Sequence, residues 1–74
     1  MKGFQTVYVR GVGLFVRKEH EGSFLVFNPA ENVGTIFSIT ELLVLADLID
    51  GKNIGDYPGF NRFKKMLVAI SIQL

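Results

Sequence analysis

The sequence predicts a small α+β domain, in which an antiparallel sheet of three or four strands is followed by a capped helix and then by a second helix or strand. Stretches rich in Val, Tyr, Phe and Thr alternate with glycines over residues 4–37, as is typical of short strands. A capping box followed by a Leu-rich stretch predicts a helix at about 39–50. The 74 residues leave room for one hydrophobic core, so we expect residues 1–74 to form a single domain.

The first two strands are predicted over 4–10 and 13–19, where the pattern Val-Tyr-Val-Arg is soon echoed by Leu-Phe-Val-Arg. A two-residue loop of Gly11-Val12 suits a type II′ turn, whose first central residue is glycine. This register places Tyr8 opposite Phe15. The echo then has a simple explanation, because two antiparallel strands in register show the same two faces.

Alternation of side chains gives these two faces different chemistry. One face is aliphatic and consists of Val7, Val9, Leu14 and Val16. The other is aromatic and basic and consists of Phe4, Thr6, Tyr8, Arg10, Phe15 and Arg17.

A third strand is predicted at 23–28 and a short fourth strand at 33–37. A three-residue loop over 20–22, with its glycine in the left-handed conformation, pairs Val16 with Val26. The third strand adds Phe24 and Val26 to the aliphatic face and Leu25 and Phe27 to the aromatic face.

The predicted helix begins after Ser38, which forms the capping box with Glu41, and it ends at Gly51. One apolar stripe of this helix consists of Ile39, Leu42, Leu45, Ala46 and Ile49. The opposite half is also apolar and contains Leu43, Val44 and Leu48. Either the helix of a second chain or this chain's own tail must cover that half, and in the first case these three residues form a dimer interface.

The tail is predicted as a loop over 51–59 followed by a helix over 60–67. Residues 68–74 alternate as a strand would, but they also continue the apolar side of the helix, and we favour the helix.

Composition favours self-association. The chain is 49% hydrophobic, yet it has no cysteine for a disulfide and a single histidine for a zinc site, so a homodimer is the remaining means of stabilising so small a domain.

The net charge is +1, but the charge of successive segments alternates in sign: residues 1–30 are basic, 31–56 acidic and 57–74 basic. The lack of cysteine, of a signal-peptide pattern and of a long apolar run predicts a soluble cytoplasmic protein without a membrane partner.

No catalytic constellation is apparent in the sequence, so we expect a protein that is not an enzyme and that needs no cofactor or metal. His20 lies between Glu19 and Glu21 in a predicted tight turn, where solvent surrounds it. Asp47 and Asp50 are spaced to share a helix face, as paired catalytic carboxylates can. Since no cation or metal ligand accompanies them, we expect both to be solvated.

The aromatic and basic face is the candidate functional surface. Single-stranded nucleic acid is bound by aromatic side chains that stack on bases and by cations that follow the phosphates. The residues of these types are Tyr8, Arg10, Phe15, Arg17 and Lys18, with Phe27 as a further aromatic candidate. The alternative is that the aromatic rings are simply buried, by the C-terminal segment or by a partner.

The segment VGTIFSITELLVLADLIDG, a strand that leads into a capped Leu-rich helix, resembles the single-strand-DNA-binding domain of the transcriptional positive cofactor 4 family. Residues in comparable places are Gly34, Thr35, Ile36, Ser38, Glu41, Leu42, Leu45 and Leu48. The resemblance covers about residues 4–50. It implies a homodimer packed through its helices, with curved sheets that hold single-stranded DNA by the five aromatic and basic residues named above. The chain departs from the family in having few strand lysines, no tryptophan and the additional segment 51–74.

Two functions of different classes follow from the sequence. The first is a small non-enzymatic binding protein that holds single-stranded nucleic acid on its aromatic and basic face as a homodimer. The alternative is a protein-interaction or regulatory module that docks a protein partner, or a second copy of itself, without nucleic acid. Full burial of Tyr8 and Phe15 would exclude the first.

Overall fold

The computed structural model describes residues 3–74 as a four-stranded antiparallel sheet with two helices packed against one face, which confirms the predicted α+β class. The elements are β1 (Phe4–Val9), β2 (Val12–His20), β3 (Ser23–Asn28), β4 (Val33–Ser38), α1 (Ile39–Ile49) and α2 (Phe60–Ala69). The sheet order is β1-β2-β3-β4, so β1 and β4 are its edges. Lys2, which contributes to the basic first segment, lies outside the described residues.

The turn between β1 and β2 lies one residue earlier than predicted. Arg10 and Gly11 form it, and both have positive φ, 50° and 81°, as a type I′ turn requires. Tyr8 therefore pairs with Gly13 and not with Phe15. The register has moved by two residues, so each side chain keeps its predicted face. Arg10 is the exception, because it lies in the turn.

The pairing of β2 with β3 is as predicted at Val16 and Val26, but the loop between these strands is shorter than predicted. His20 belongs to β2 and pairs with Ser23. The register shifts just before this pair, which leaves Glu19 as the extra residue of a β-bulge. His20 is exposed, as expected.

The hydrophobic core lies between one face of the sheet, here called the inner face, and the two helices. Its buried side chains are Val9, Leu14, Val26, Phe37, Leu45, Ile54, Phe63, Leu67, Ile70 and Ile72. The rings of Phe37 and Phe63 meet edge to face with centroids 5.9 Å apart, which joins β4 to α2. Burial of each side chain of this size contributes roughly 1.5–3 kcal/mol, so the core is the main source of stability.

The capping box at the start of α1 is confirmed. The backbone N–H of Glu41 donates to Ser38 Oγ at 3.2 Å, and the N–H of Ser38 donates to Glu41 Oε1 at 2.8 Å. Arg62 Nε on α2 donates to Glu41 Oε2 at 3.0 Å. Burial opposes ionisation of Glu41, but the hydrogen bonds from Ser38 and the charge of Arg62 outweigh it and lower the pKa of this carboxyl.

The buried side of α1 differs from the predicted stripe. Leu45 is buried as expected, but Ile39 and Ile49 are 48% and 42% exposed. Val44 and Leu48, predicted to lie on the opposite half, pack against the core. Val44 lies beside Tyr57 and Phe60, from the loop before α2 and its first turn, and Leu48 lies beside Val9 of β1. The chain's own tail, one of the two alternatives left open by the sequence, therefore covers part of this half, while Leu43 stays 60% exposed.

Residues 68 and 69 continue α2, as the favoured alternative predicts, but residues 70–74 are neither helix nor strand. Ser71 has φ of 63°, and its N–H donates to Val68 O at 2.9 Å. The N–H of Ile72 donates to Leu67 O at 2.8 Å. This pair of bonds is a Schellman motif with serine in the place that glycine usually takes. The chain turns sharply after Ala69 and returns Ile72 to the core.

Asn28, at the end of β3, connects the sheet to this C-terminal turn. Its side chain is 1% exposed. Its Nδ2 donates to Ile70 O at 2.8 Å, and its Oδ1 accepts from the N–H of Ala30 at 3.1 Å. One buried amide therefore satisfies a carbonyl at the end of α2 and also shapes the turn between β3 and β4.

We predict that Asn28→Ala lowers the free energy of unfolding by about 1–3 kcal/mol, because a buried carbonyl loses its donor. Urea unfolding followed by circular dichroism measures this change. The matched control is Asn61→Ala on α2, where the asparagine is exposed and a change within about 0.5 kcal/mol is expected. Equal effects of the two substitutions would contradict the proposed role of Asn28.

Candidate binding surface

The sheet face opposite the helices, here called the outer face, is the candidate binding surface. Strand alternation places on it Phe4, Thr6, Tyr8, Phe15, Arg17, Leu25, Phe27 and Ile36, together with Gly13 and Gly34. The core contains none of these side chains, and each of them is half-buried or exposed. Tyr8 is 66% exposed and Ile36 is 50% exposed, so no other part of the described chain covers either of these two side chains.

A shallow hollow of about 190 Å³ lies in the middle of the outer face. It is lined by Phe4, Phe15, Arg17, Leu25 and Phe27, from three neighbouring strands. The rings of Phe4 and Phe15 are tilted at 45° to each other with centroids 4.7 Å apart. The volume is several times the ~30 Å³ that a water molecule occupies in the liquid, and the walls are apolar. The hollow suits an apolar side chain better than it suits water.

Arg17, at the rim of this hollow, is already neutralised by a neighbour. Its Nε and Nη2 donate to the two carboxylate oxygens of Glu19 at 2.7 and 3.2 Å, a bidentate pair. The hydrogen bond from Arg17 lowers the pKa of Glu19, and the same bond raises the pKa of Arg17. A ligand in the hollow therefore meets a balanced ion pair and not a free positive charge.

The other predicted cations lie away from the hollow. Lys18 alternates onto the opposite side of β2, and its Nζ donates to Glu21 at 2.7 Å. Arg10 lies at the exposed tip of the first hairpin, where Tyr8, Arg10 and Lys52 line a second cleft of about 230 Å³. The structure thus brings Phe15 and Arg17 together and places Tyr8 on the same face of the sheet. Lys18 lies on the opposite face from these three residues.

Two residues of the hollow are missing from the predicted site: Phe4 and Leu25. The strand alternation already places both on the aromatic face, together with Phe27. The pairing of Arg17 with Glu19 could also have been foreseen, since two residues that lie two apart in a strand share a face. Opposite charges at that spacing indicate an ion pair on the surface.

Two aromatic rings on the outer face lie over glycines on the neighbouring strand. Tyr8 pairs with Gly13, and a Cβ added to Gly13 would lie 3.4 Å from Tyr8 Cε1. Phe27 pairs with Gly34, and a Cβ there would lie 3.0 Å from Phe27 Cδ1 and 3.3 Å from the backbone O of Val26. The absence of a side chain at Gly34 lets the Phe27 ring approach the backbone of β4 closely, and this ring lines the hollow.

The three predicted dimer-interface residues on α1 are placed differently from one another. Leu43 is 60% exposed. Val44 and Leu48 are half-buried against this chain's own core. A second chain that docked on this side of α1 would find Leu43 accessible and the other two largely occupied.

Asp47, considered above as half of a carboxylate pair, has a structural role. It accepts a hydrogen bond from Tyr57 Oη at 2.8 Å and one from Lys52 Nζ at 3.2 Å. These two bonds, that of Tyr57 first, lower the pKa of Asp47 and fix the loop before α2 to α1. Among residues 3–74 no three His, Cys, Asp or Glu side chains are grouped so as to hold a metal ion.

Neither a known protein family, nor a curated protein, nor a solved structure matches the chain. The resemblance to the transcriptional positive cofactor 4 family therefore stays a prediction. In the described part of the chain, neither helix has the length and apolar character needed to cross a membrane.

We predict that Gly34→Ala destabilises the fold by about 1 kcal/mol and shifts the NMR signals of the Phe27 ring, because the new methyl group meets that ring and a backbone oxygen. Gly13→Ala is the matched control, since its methyl group would make only an ordinary contact with Tyr8. Because alanine is the better strand residue, the control is expected to leave stability unchanged or raised. Thermal unfolding of both variants measures the difference, and equal stabilities would contradict this description of the Phe27 wall.

Proposed function

We propose that this protein is a non-enzymatic interaction module that docks an uncharged, apolar segment of a protein partner on its outer face. The hollow lined by Phe4, Phe15, Leu25 and Phe27 supports this function most directly. Monomeric proteins rarely leave a contiguous aromatic surface open to water unless something binds there. Aromatic residues are also the side chains most enriched at protein interfaces.

The charges around the hollow favour a protein partner over a polyanion. The guanidinium of Arg17 is bonded to Glu19, so an added phosphate would have to compete with a carboxylate at 2.7 Å. An uncharged apolar side chain needs no such exchange, and it gains the free energy of leaving water. The partner that complements this surface therefore presents apolar or aromatic side chains with few charges.

We predict that Leu25→Lys weakens the binding of a peptide selected on this protein from a random display library by at least about tenfold. A lysine in the wall of the hollow removes apolar contact worth roughly 1.5 kcal/mol or more, and 1.4 kcal/mol corresponds to a factor of ten in affinity. An NMR titration of isotope-labelled protein with the peptide gives both the affinity and the residues whose chemical shifts change. We expect perturbations at Phe4, Phe15 and Phe27.

Val68→Lys provides the matched control for this experiment. Val68 lies on α2, is 58% exposed, and is remote from the outer face. The control is expected to bind the peptide as the unchanged protein does. Peptides that perturb the helices, or that bind Leu25→Lys at full strength, would exclude the outer face as the docking surface.

A second candidate function is the binding of single-stranded nucleic acid, and the geometry of Arg10 favours it. A residue with φ of 50° in a type I′ turn is normally asparagine, aspartate or glycine, and arginine there is strained. The strained cation lies beside Tyr8, whose ring is largely exposed. An aromatic ring beside a cation is the arrangement that stacks a base and contacts its phosphate. In this proposal the ligand follows the hairpin tip, not the hollow.

We predict for this second function that Arg10→Asn raises the free energy of unfolding by about 0.5–1 kcal/mol, because asparagine adopts the positive φ of this turn with less strain. The same substitution is expected to weaken the binding of a fluorescent oligothymidylate, because it removes a phosphate contact. Tyr8→Ala is expected to weaken the same binding by roughly tenfold, the value of one stacked base. Fluorescence anisotropy at low and moderate salt measures both changes. No saturable binding even at low salt, or binding unaffected by both substitutions, would exclude this function.

A further inference from the structure

The β1 edge of the sheet lacks the features that normally prevent strand pairing between molecules. Its six residues, Phe-Gln-Thr-Val-Tyr-Val, include no charged side chain and no proline, and the register with β2 is regular throughout. Natural edge strands are usually protected by lysines, prolines or bulges, or by a covering element. An uncharged regular edge is therefore a surface on which another strand can add.

The turn at the hairpin tip determines which backbone groups face this open edge. The two residues that flank a two-residue turn, here Val9 and Val12, exchange hydrogen bonds, and bonded pairs then alternate along the ladder. The N–H and C=O groups of Phe4, Thr6 and Tyr8 consequently point away from β2. Along the β1 edge, these three residues therefore leave their backbone N–H donors and C=O acceptors available to a further strand. All three residues have their side chains on the outer face.

We propose that a second copy of this chain occupies the β1 edge, with the two β1 strands antiparallel about a two-fold axis at Thr6. This register pairs Thr6 with Thr6 of the partner subunit and Phe4 with Tyr8 of the partner subunit. Both are favourable cross-strand pairs, one between hydroxyls and one between aromatic rings. Pairing places no like charges opposite each other along β1, because the strand is uncharged.

An open groove beneath β1 supports the choice of this edge. The groove has a volume of about 210 Å³ and lies between the inner side of β1 and α1. Its lining is uncharged and consists of Gln5, Val7, Val16, Leu42, Leu45, Ala46 and Ile49. Ile49, 42% exposed in the single chain, would be covered when two such grooves meet across the axis. The inner side of β4 is instead closed, since Phe37 is fully buried against Phe63 of α2.

The size of the contact sets the strength expected of this dimer. A six-residue strand is about 20 Å long, and the shortest dimension of the molecule is 20 Å. Two edges that meet over these dimensions cover roughly 400 Å² of each subunit, half of the ~800 Å² typical of stable complexes. We therefore expect a weak dimer that forms at micromolar or higher concentration. This inference does not depend on either proposed ligand, and it joins the two outer faces into one eight-stranded surface.

The test is sedimentation equilibrium of the full chain over a range of concentrations, with Thr6→Lys as the disrupting variant. A lysine at Thr6 would lie opposite its own copy across the axis, so the dissociation constant is expected to rise at least about tenfold. Ile36→Lys is the control, because Ile36 is on the same face but on the opposite edge strand. Thr6 is exposed, and circular dichroism verifies that both variants are folded.

Amide hydrogen exchange of the unchanged protein gives a second readout that needs no variant. In the dimer the N–H groups of Phe4, Thr6 and Tyr8 are bonded to the partner, so their exchange slows as concentration rises. A mass of one chain at all concentrations would overturn the proposal. So would a dimer that is lost in Ile36→Lys but not in Thr6→Lys, or protection that appears on β4 and not on β1.

Discussion

The structure depends on the fact that a four-stranded sheet has two faces, and within residues 3–74 both helices pack against only one of them. Successive side chains of a strand point to opposite faces, so the residues on either side of a core residue lie on the outer face. The residues after β4 form two short helices and a turn that packs back on the same side. The buried amide of Asn28, bonded to Ile70 O, fixes that last turn against the sheet. Because the described residues after β4 pack on the inner side, they leave the outer face uncovered.

The composition of the outer face supports the proposal that it is a binding surface. An outer face without a partner is normally polar, as in other antiparallel sheets with one solvated side. Here the open face has Phe4, Phe15, Leu25 and Phe27 around one hollow, and its guanidinium is balanced by a carboxylate. Gly34, where any side chain would displace the Phe27 ring, maintains this shape. These apolar residues add little to the core of the single chain, so contact with another molecule is the best reason for their presence.

The alternation in the sequence predicted the faces and most of the elements, whereas the details that depend on unusual residues or on tertiary contacts were missed. The faces were predicted correctly because the register moved by an even number of residues. The first turn was misplaced because arginine seldom adopts positive φ, and the end of α2 was missed because Ser71 does so in place of glycine. The buried side of α1 could not be predicted, since it is set by where α2 packs. The aromatic character of the candidate site was predicted, but the bidentate pair of Arg17 with Glu19 was not, because alternation places residues on a face without specifying which side chains bond there.

The proposed docking on the outer face and the proposed pairing of β1 edges concern different parts of one sheet, and one property of the chain supports both. A domain of 74 residues buries a smaller fraction of its surface than a larger domain does, so it has little stability to spare for exposed apolar groups. The β1 edge nevertheless has no charged side chain, and the hollow on the outer face is lined by apolar side chains apart from Arg17, which is paired with Glu19. Pairing of two β1 edges would bring Phe4 of one subunit beside Tyr8 of the partner subunit, at the border of each hollow. The apolar surface would then become continuous across the axis, and a ligand that is too long for one hollow could extend into the second. An edge that recruits a second copy would in this way determine the size of the ligand that the outer face can hold.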